Sequence, residues 1–298
     1  MKPAAFDYLA PRTIDEALAQ LAEHGAEARP LAGGQSLVRL MNQRAATPSV
    51  IVDLNRLPDL DHVASDNGTV RIGALARQRG VETSDVVRSR IPLLAEAGAQ
   101  VAHLAVRERG TVVGSVAFAD PSAELPAALL ALDGQVVAQS VGGERVLDAE
   151  AFFTGPFTTA LDPDELAVEL RIPALPQERC GSAFVEMARR HGDLPVCGVA
   201  AVVRLDSDDR IGSARIALCG VDRRPVRATE AEDALAGRQP TDELLREAAA
   251  IASWNVDPAG DCHGSAEFRR HLAGVLTRRA LATSISRAVD AAREDGNA

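Results

Sequence analysis

Two short glycine-bearing stretches hold most of the chemical potential of this chain: Ala32-Gly33-Gly34-Gln35-Ser36 and Arg109-Gly110-Thr111-Val112-Val113-Gly114-Ser115. Glycine has no Cβ, so the backbone can approach a ligand closely. Consecutive N–H groups at the opening of a helical turn form an anion nest. A pyrophosphate suits the first stretch, and so does the plainer reading of a tight turn between strand and helix. The second stretch offers another approach surface, with Thr111 and Ser115 as hydroxyl donors. Glu124 follows at a helix start, where a carboxylate either holds sugar hydroxyls or simply favours the helix N-terminus. Asp120-Pro121-Ser122 reads equally as a turn and cap or as a ligand contact.

Other chemistries have no footing. There is no G-x-x-x-x-G-K-[ST] and no G-x-G-x-x-G after a strand, so phosphate-loop and dinucleotide-fold binding are excluded. No G-x-S-x-G elbow exists, and the six histidines show no metal-ligand spacing. Cys180, Cys197, Cys219 and Cys262 are single and widely spaced with no C-x-x-C, which argues against a zinc site or a chain-borne iron–sulfur cluster, and a chain this long and core-rich argues against a disulfide framework. Neither a metal ligand set nor a catalytic acid, base or nucleophile set emerges, and the pattern points to a cofactor holder.

The remaining composition sets bounds. With 298 residues, 46% of them apolar, the chain exceeds one compact domain and predicts two or three lobes. A formal charge of −10 argues against a nucleic-acid partner. The four arginine pairs read as solvated faces or subunit contacts. The N-terminus lacks an apolar leader and no run of 18 apolar residues occurs, so a protein with reduced thiols in the cytoplasm, without a membrane span, is expected.

The elements that must position these residues are partly legible. Thr13-Ile14-Asp15-Glu16 forms a capping box, apolar Ile14, Ala17, Leu18 and Leu21 repeat at helical spacing, and Gly25 closes the helix. A strand at 29–32 runs into the first glycine loop, a helical turn covers 37–41, and 49–54 is a second strand. These make a small αβαβ unit. Further on, 70–74 reads as a strand, 92–105 as a helix, 109–115 as a glycine-punctuated loop and 124–132 as a helix. Val141-Gly142-Gly143 joins a hairpin, and 169–173 ends the lobe. Two prolines between 173 and 179 mark a boundary. The last third alternates strands (198–205, 211–219) with helices (229–236, 241–252, 265–288), and 294–298 is expected to fray.

In that order, three motifs resemble the FAD-binding medium subunits of the xanthine dehydrogenase and carbon monoxide dehydrogenase family. They are Ala32-Gly-Gly-Gln-Ser36, Arg109-Gly-Thr111-Val-Val-Gly114-Ser115 and Ala119-Asp-Pro-Ser-Ala-Glu124-Leu-Pro126. The resemblance continues through Leu161-Asp-Pro-Asp-Glu-Leu166, Ile172-Pro173, Phe184-Val-Glu-Met-Ala-Arg-Arg190 with Gly192-Asp193, and Gly264-Ser-Ala-Glu-Phe-Arg-Arg270 to Leu276-Thr-Arg-Arg279. It covers nearly the whole chain.

The resemblance implies an α+β fold: a two-lobed FAD-binding domain of the vanillyl-alcohol-oxidase (PCMH) type, lobes 1–57 and 58–175, and a C-terminal α+β flavoprotein domain, 176–298. It implies that Arg29, Pro30, Leu31, Ala32, Gly33, Gly34, Gln35 and Ser36 wrap the FAD diphosphate. Thr111, Gly114 and Ser115 would face it, with Asp120 nearby and Glu124 on ribityl or ribose hydroxyls. Val101, Leu161, Ala167 and Val185 would lie near the flavin ring. Partners are implied too: a large subunit with a molybdopterin cofactor and a small subunit with two [2Fe–2S] clusters, assembled as a dimer of heterotrimers. Electrons would leave to NAD, oxygen or a quinone. The rivals are a stand-alone flavin oxidase and a structural subunit with a decayed FAD site. Two residues depart from the family pattern. Val113 stands where a glycine is usual, so it either turns away from the cofactor or crowds it, and Leu194 stands where an aromatic residue commonly follows Gly-Asp.

Overall fold

The structure, a computed structural model, describes residues 1–295; Gly296-Asn297-Ala298, part of the end expected to fray, lie outside the described residues. The first unit is a three-stranded parallel sheet of β1 (Asp7–Leu9), β2 (Ala28–Leu31) and β3 (Val50–Asp53), in the order β1-β3-β2. Helices α1 (Ile14–His24) and α2 (Leu37–Gln43) make the crossovers. The Thr13 hydroxyl accepts from Glu16 N (3.2 Å), as the capping box predicts. The Glu16 carboxylate, however, takes the N–H of Arg12 rather than that of Thr13 (2.7 Å). β1 escaped the sequence reading because three residues with two exposed carry no period.

The second unit is an antiparallel sheet, β4-β5-β10-β6-β7, from β4 (Val63–Asp66), β5 (Thr69–Gly73), β6 (Gln135–Ser140), β7 (Gly143–Asp148) and β10 (Leu166–Pro173). A small hairpin, β8 (Phe153–Gly155) and β9 (Thr158–Thr159), lies beside it. Strand alternation divides the sheet between two cores. Val137, Leu166 and Val168 face α1 and the first unit, whereas Val136 and Leu170 face the helices of the second unit.

Those helices are α3 (Gln78–Thr83), α4 (Asp85–Arg90), α5 (Pro92–Gln100), α6 (Leu104–Arg107), α7 (Val112–Phe118), α8 (Glu124–Ala131) and α9 (Ala149–Phe152). The helix expected over 92–105 breaks after Gln100, because Ala102 takes a left-handed φ of 45°. Arg107, itself buried, donates to the carbonyls of Val101 and Ala102 (2.8 and 3.0 Å) and holds that turn. The loop expected at 109–115 is a helix from Val112 onward. Thr111 caps it by accepting from Gly114 N (3.1 Å), while Val112, Val113 and Val116 are buried. β-Branched residues between glycines argue against a helix locally, and burial overrides that preference.

The third unit is the antiparallel sheet β11 (Cys180–Met187), β12 (Cys197–Leu205), β13 (Ile211–Cys219) and β14 (Val226–Arg227), backed by α10 (Thr229–Leu235), α11 (Asp242–Trp254) and α12 (Ala266–Asp295). Both faces of this sheet are covered. Phe184, Ala200, Val202, Ala217 and Cys219 join the core of the second unit, while Val199, Ala201, Val203, Ile216 and Leu218 face α10 to α12. That is why 197–205 is apolar almost without alternation. Residues 174–179, which cross between units, are fastened: Ala174 N donates to Gly68 O, Leu175 N to Arg90 O, and Leu205 N to Arg179 O, each 2.8 Å.

Candidate functional site

The two glycine loops meet. Gly33 lies so close to the second loop that a Cβ there would sit 2.7 Å from Gly110 Cα and 3.0 Å from Thr111 N, and against the Arg109 carbonyl oxygen. Only glycine tolerates that approach. Gly34 has φ 70°, and α2 begins after Ser36. The Gln35 carboxamide folds back onto Gly33 O (3.1 Å). Among the described residues, the N–H groups of Gly33, Gly34, Gln35 and Ser36 have no acceptor within the protein. All four residues are half-exposed. Free donors on successive turn residues are what an anion-binding nest is built from.

A polar chain ties the loops together. Asn55 Nδ2 donates to Ala32 O (2.9 Å), and Arg77 donates to both Asn55 Oδ1 (2.7 Å) and Arg109 O (2.6 Å). Asn55 is held in turn by Asp53 Oδ1, which accepts from its N–H and its side chain (3.0 and 2.6 Å); the Tyr8 hydroxyl donates to the other Asp53 oxygen. These hydrogen bonds keep the Asp53 carboxyl below its usual pKa against the opposing effect of burial. The Arg77–Thr111 bridge, with Gln78 N donating to Gly110 O (2.8 Å), seats the second loop on the second unit. Asn55 and Arg77 were missed in the sequence, since no local pattern links positions so far apart.

The other expected residues distribute as follows. Arg29 folds onto Ala26 O and Ala28 O (2.9 and 2.7 Å), and Pro30 and Leu31 belong to β2 beneath the loop. Gly114 and Ser115 are half-exposed in the first turn of α7. Val113 is only 2% exposed and packs in the core, so its side chain turns away from the loop surface. Val101, Leu161 and Ala167 join that same apolar cluster.

Val185 does not join the group: its side chain packs toward α10 to α12, and a shift of one residue along a strand reverses the face. Its neighbour Glu186 faces inward instead. Glu186 Oε2 is buried without a hydrogen-bond partner. Leu194 is exposed, in a turn whose Gly192 (φ 84°) lies against His103 and Ala102 O.

Glu186, Glu124 and Asp120 form a carboxyl cluster where the second and third units meet. Gly220 N donating to Pro121 O (2.8 Å) closes that junction. Burial pushes Glu124 up to about 8, and the nearby Glu186 and Asp120 add to the rise. Burial likewise raises Glu186 to about 7, and it raises Asp120 against the Ser122 N–H that Asp120 accepts. Carboxyls raised in the folded state ionise first in the unfolded chain. Their stability contribution is therefore complete below the ordinary 4.5 and lost as pH climbs toward 8. We predict that Glu124→Gln equals the parent chain in melting temperature at pH 5 but exceeds it at pH 8, with parental stability falling by about 1.4 kcal/mol per pH unit at the steepest. Thermal scans at both pH values check this, and an identical difference at each would defeat it.

Among the described residues, no group of three or more His, Cys, Asp or Glu is placed to hold a metal ion, and no helix is long and apolar enough to cross a membrane. The geometry of the two loops is that of a cradle for a phosphate-bearing cofactor.

Comparison with known proteins agrees. Residues 4–175 match the FAD binding domain in molybdopterin dehydrogenase, and residues 182–284 match the CO dehydrogenase flavoprotein C-terminal domain. The chain is 41% identical over 288 residues to the 6-hydroxypseudooxynicotine dehydrogenase complex subunit alpha of Paenarthrobacter nicotinovorans, covering 97% of each chain. It is also 41% identical over 290 residues to the caffeine dehydrogenase subunit beta of a Pseudomonas species, covering 97% of this chain and 98% of that one. Its fold superposes on carbon monoxide dehydrogenase from Hydrogenophaga pseudoflava with a TM-score of 0.94 at 37% identity, over 96% of this chain and 99% of that one. The α+β architecture, the glycine cradle and these matches together place the chain in the family of FAD-binding medium subunits of the molybdenum hydroxylases, which are oxidoreductases.

Proposed function

We propose that this chain holds FAD across its two glycine loops and relays electrons from two [2Fe–2S] clusters of a small partner subunit to an acceptor such as NAD, oxygen or a quinone. A large partner subunit would carry the molybdopterin cofactor and hydroxylate the substrate, in a cytoplasmic dimer of heterotrimers. The units 1–57, 58–175 and 176–298 would divide the work: the first two hold the cofactor, and the third closes over it. The observation that carries this reading is the direct contact of Gly33 with Gly110 and Thr111, beside four unpartnered N–H groups. When bound, FAD supplies the redox chemistry, and the protein supplies position and electrostatics.

Residues 29–36 would take one side of the diphosphate, and Thr111, Gly114 and Ser115 the other. Asp120 and Glu124 would meet the ribityl or ribose hydroxyls. A Glu124 carboxyl kept protonated can donate a hydrogen bond as well as accept one. Val101, Leu161, Ala167 and Glu186, in place of Val185, would border the ring. The relatives are named for 6-hydroxypseudooxynicotine, caffeine and carbon monoxide, three unlike compounds, while this chain type persists. That supports substrate chemistry on another polypeptide.

The test is flavin content. The purified chain, or its complex, is expected to hold one FAD per chain, seen as absorbance between roughly 350 and 500 nm. A folded, colourless complex with no releasable flavin would refute the reading. The clamp gives a finer prediction. Arg77→Ala removes the hydrogen bond to Arg109 O of the second loop and the one to Asn55, which holds the first, and is expected to weaken FAD binding about tenfold, or roughly 1.4 kcal/mol. Fluorescence titration of the apoprotein measures this, and an unchanged Kd would show that the clamp is not needed.

A further inference from the structure

The third unit carries a surface groove remote in function from the glycine loops. Helices α11 and α12 run antiparallel. Asp242 pairs with Arg278 at one end, Gly274 sits against Ala249 and Ser253 in the middle, and Arg270 donates to Val256 O (3.1 Å) at the other. Between them lies a groove of about 590 Å³ with a floor of small side chains. Its walls carry Arg246, Arg270, Arg278 and Arg279, and Asp242 is the one carboxylate lining it. Asp242 already serves Arg246 and Arg278, so among the described residues Arg270 and Arg279 have no carboxylate partner. On a chain of net charge −10, this groove is cationic.

One helical turn beyond Ala250, at the Arg270 end, stands Trp254, the sole tryptophan and 82% exposed. Leaving an indole in water forgoes several kcal/mol of burial. Tryptophan and arginine are the residues that most often dominate protein interfaces. From Asp242 to Ser253 the groove runs for roughly 16 Å, about three helical turns, and Trp254 stands just past its end.

We infer that the α11–α12 groove docks an acidic, helix-forming segment of a partner protein, with Trp254 as the anchor. The occupant needs carboxylates for the arginines and apolar side chains that fill the space above the small-residue floor, the helix-in-groove mode of recognition. That this partner is another subunit of the assembly rests on the function proposed above.

Trp254, next in sequence to the groove residue Ser253, reports on a segment docked there, because no other tryptophan competes. The full-length chain is titrated with an amphipathic leucine–glutamate helical peptide and, in parallel, with its lysine counterpart. A blue shift of Trp254 emission is expected with the acidic peptide alone, weakening with salt, and the paired change Arg278→Glu with Arg279→Glu is expected to raise its Kd about tenfold or more. No shift, or an equal shift with the lysine peptide, overturns the inference. An emission shift with chain concentration alone, accompanied by a dimer on size exclusion, overturns it in favour of a second copy.

In the purified assembly, hydroxyl-radical oxidation of Trp254 is expected to fall about fivefold relative to the free chain, as for a residue at an interface centre. An assembly holding flavin and both other subunits, with Trp254 still as reactive as in the free chain, refutes docking and leaves the proposed function standing. A flavin-loaded chain with no co-purifying subunit refutes the proposed assembly instead, and the peptide titration still decides the groove.

Discussion

A chain carrying Gly33→Ala is expected to purify folded but nearly free of flavin, with FAD affinity down by about two orders of magnitude, the scale on which a shift near 1 Å acts on a positioned group. The cause is geometric. The added methyl would lie 2.7 Å from Gly110 Cα, and its neighbours are all backbone, so no side chain can swing aside to admit it. The two loops must part. Parting them strains the Asn55–Arg77 clamp and separates the free N–H groups of 33–36 from the Thr111 wall. Gly34→Ala is the internal control: it meets side-chain methyls of Val38 and Leu31 (3.2 and 3.4 Å) rather than backbone, and its φ of 70° costs a non-glycine residue about 1–2 kcal/mol. Gly34→Ala should therefore weaken FAD less than Gly33→Ala. Flavin absorbance per chain and apoprotein titration decide, and a Gly33→Ala chain that retains full flavin with parental Kd would sink the cradle.

The second large effect lies in the fold. Gly181→Ala on β11 places a methyl against Ser284 O and 2.6 Å from Ala288 N, both backbone atoms of α12. A helix backbone does not yield locally, so α12 must lift from the sheet. That exposes part of the core formed by Val199, Ala201 and Val203 with Leu281, Ile285 and Ala288. The expected cost is about 3 kcal/mol, at the upper end of overpacking, with a melting temperature lower by roughly 5 °C. Calorimetry checks it, and a variant that melts within about 2 °C of the parent would show that α12 accommodates the change.

The sequence is informative where a signal is local. The Thr13 cap, the Val141-Gly142-Gly143 hairpin, the long strands read at 198–205 and 211–219 and the first glycine loop all lie within a few residues of their cause. What it hides is pairing across the chain. Nothing in the neighbourhood of Gly33 announces Gly110, and nothing near Ala32 or Arg109 announces Asn55 and Arg77. β11 is hidden for another reason. Its Glu186 faces a buried carboxyl cluster rather than solvent, so the alternation that marks a half-buried strand is absent. The same strand shows how a motif can be read one residue out of phase: Val185 belongs to the third unit's own core, and Glu186 is the inward neighbour of Glu124.

The prolines between 173 and 179 mark a boundary in sequence, yet in space that strap is pinned at Gly68, at Arg90 and at Leu205. It works as a rivet rather than a hinge. A protease should find no foothold there, and the chain should tumble as one hydrodynamic body, with its flavin in a seat that does not swing.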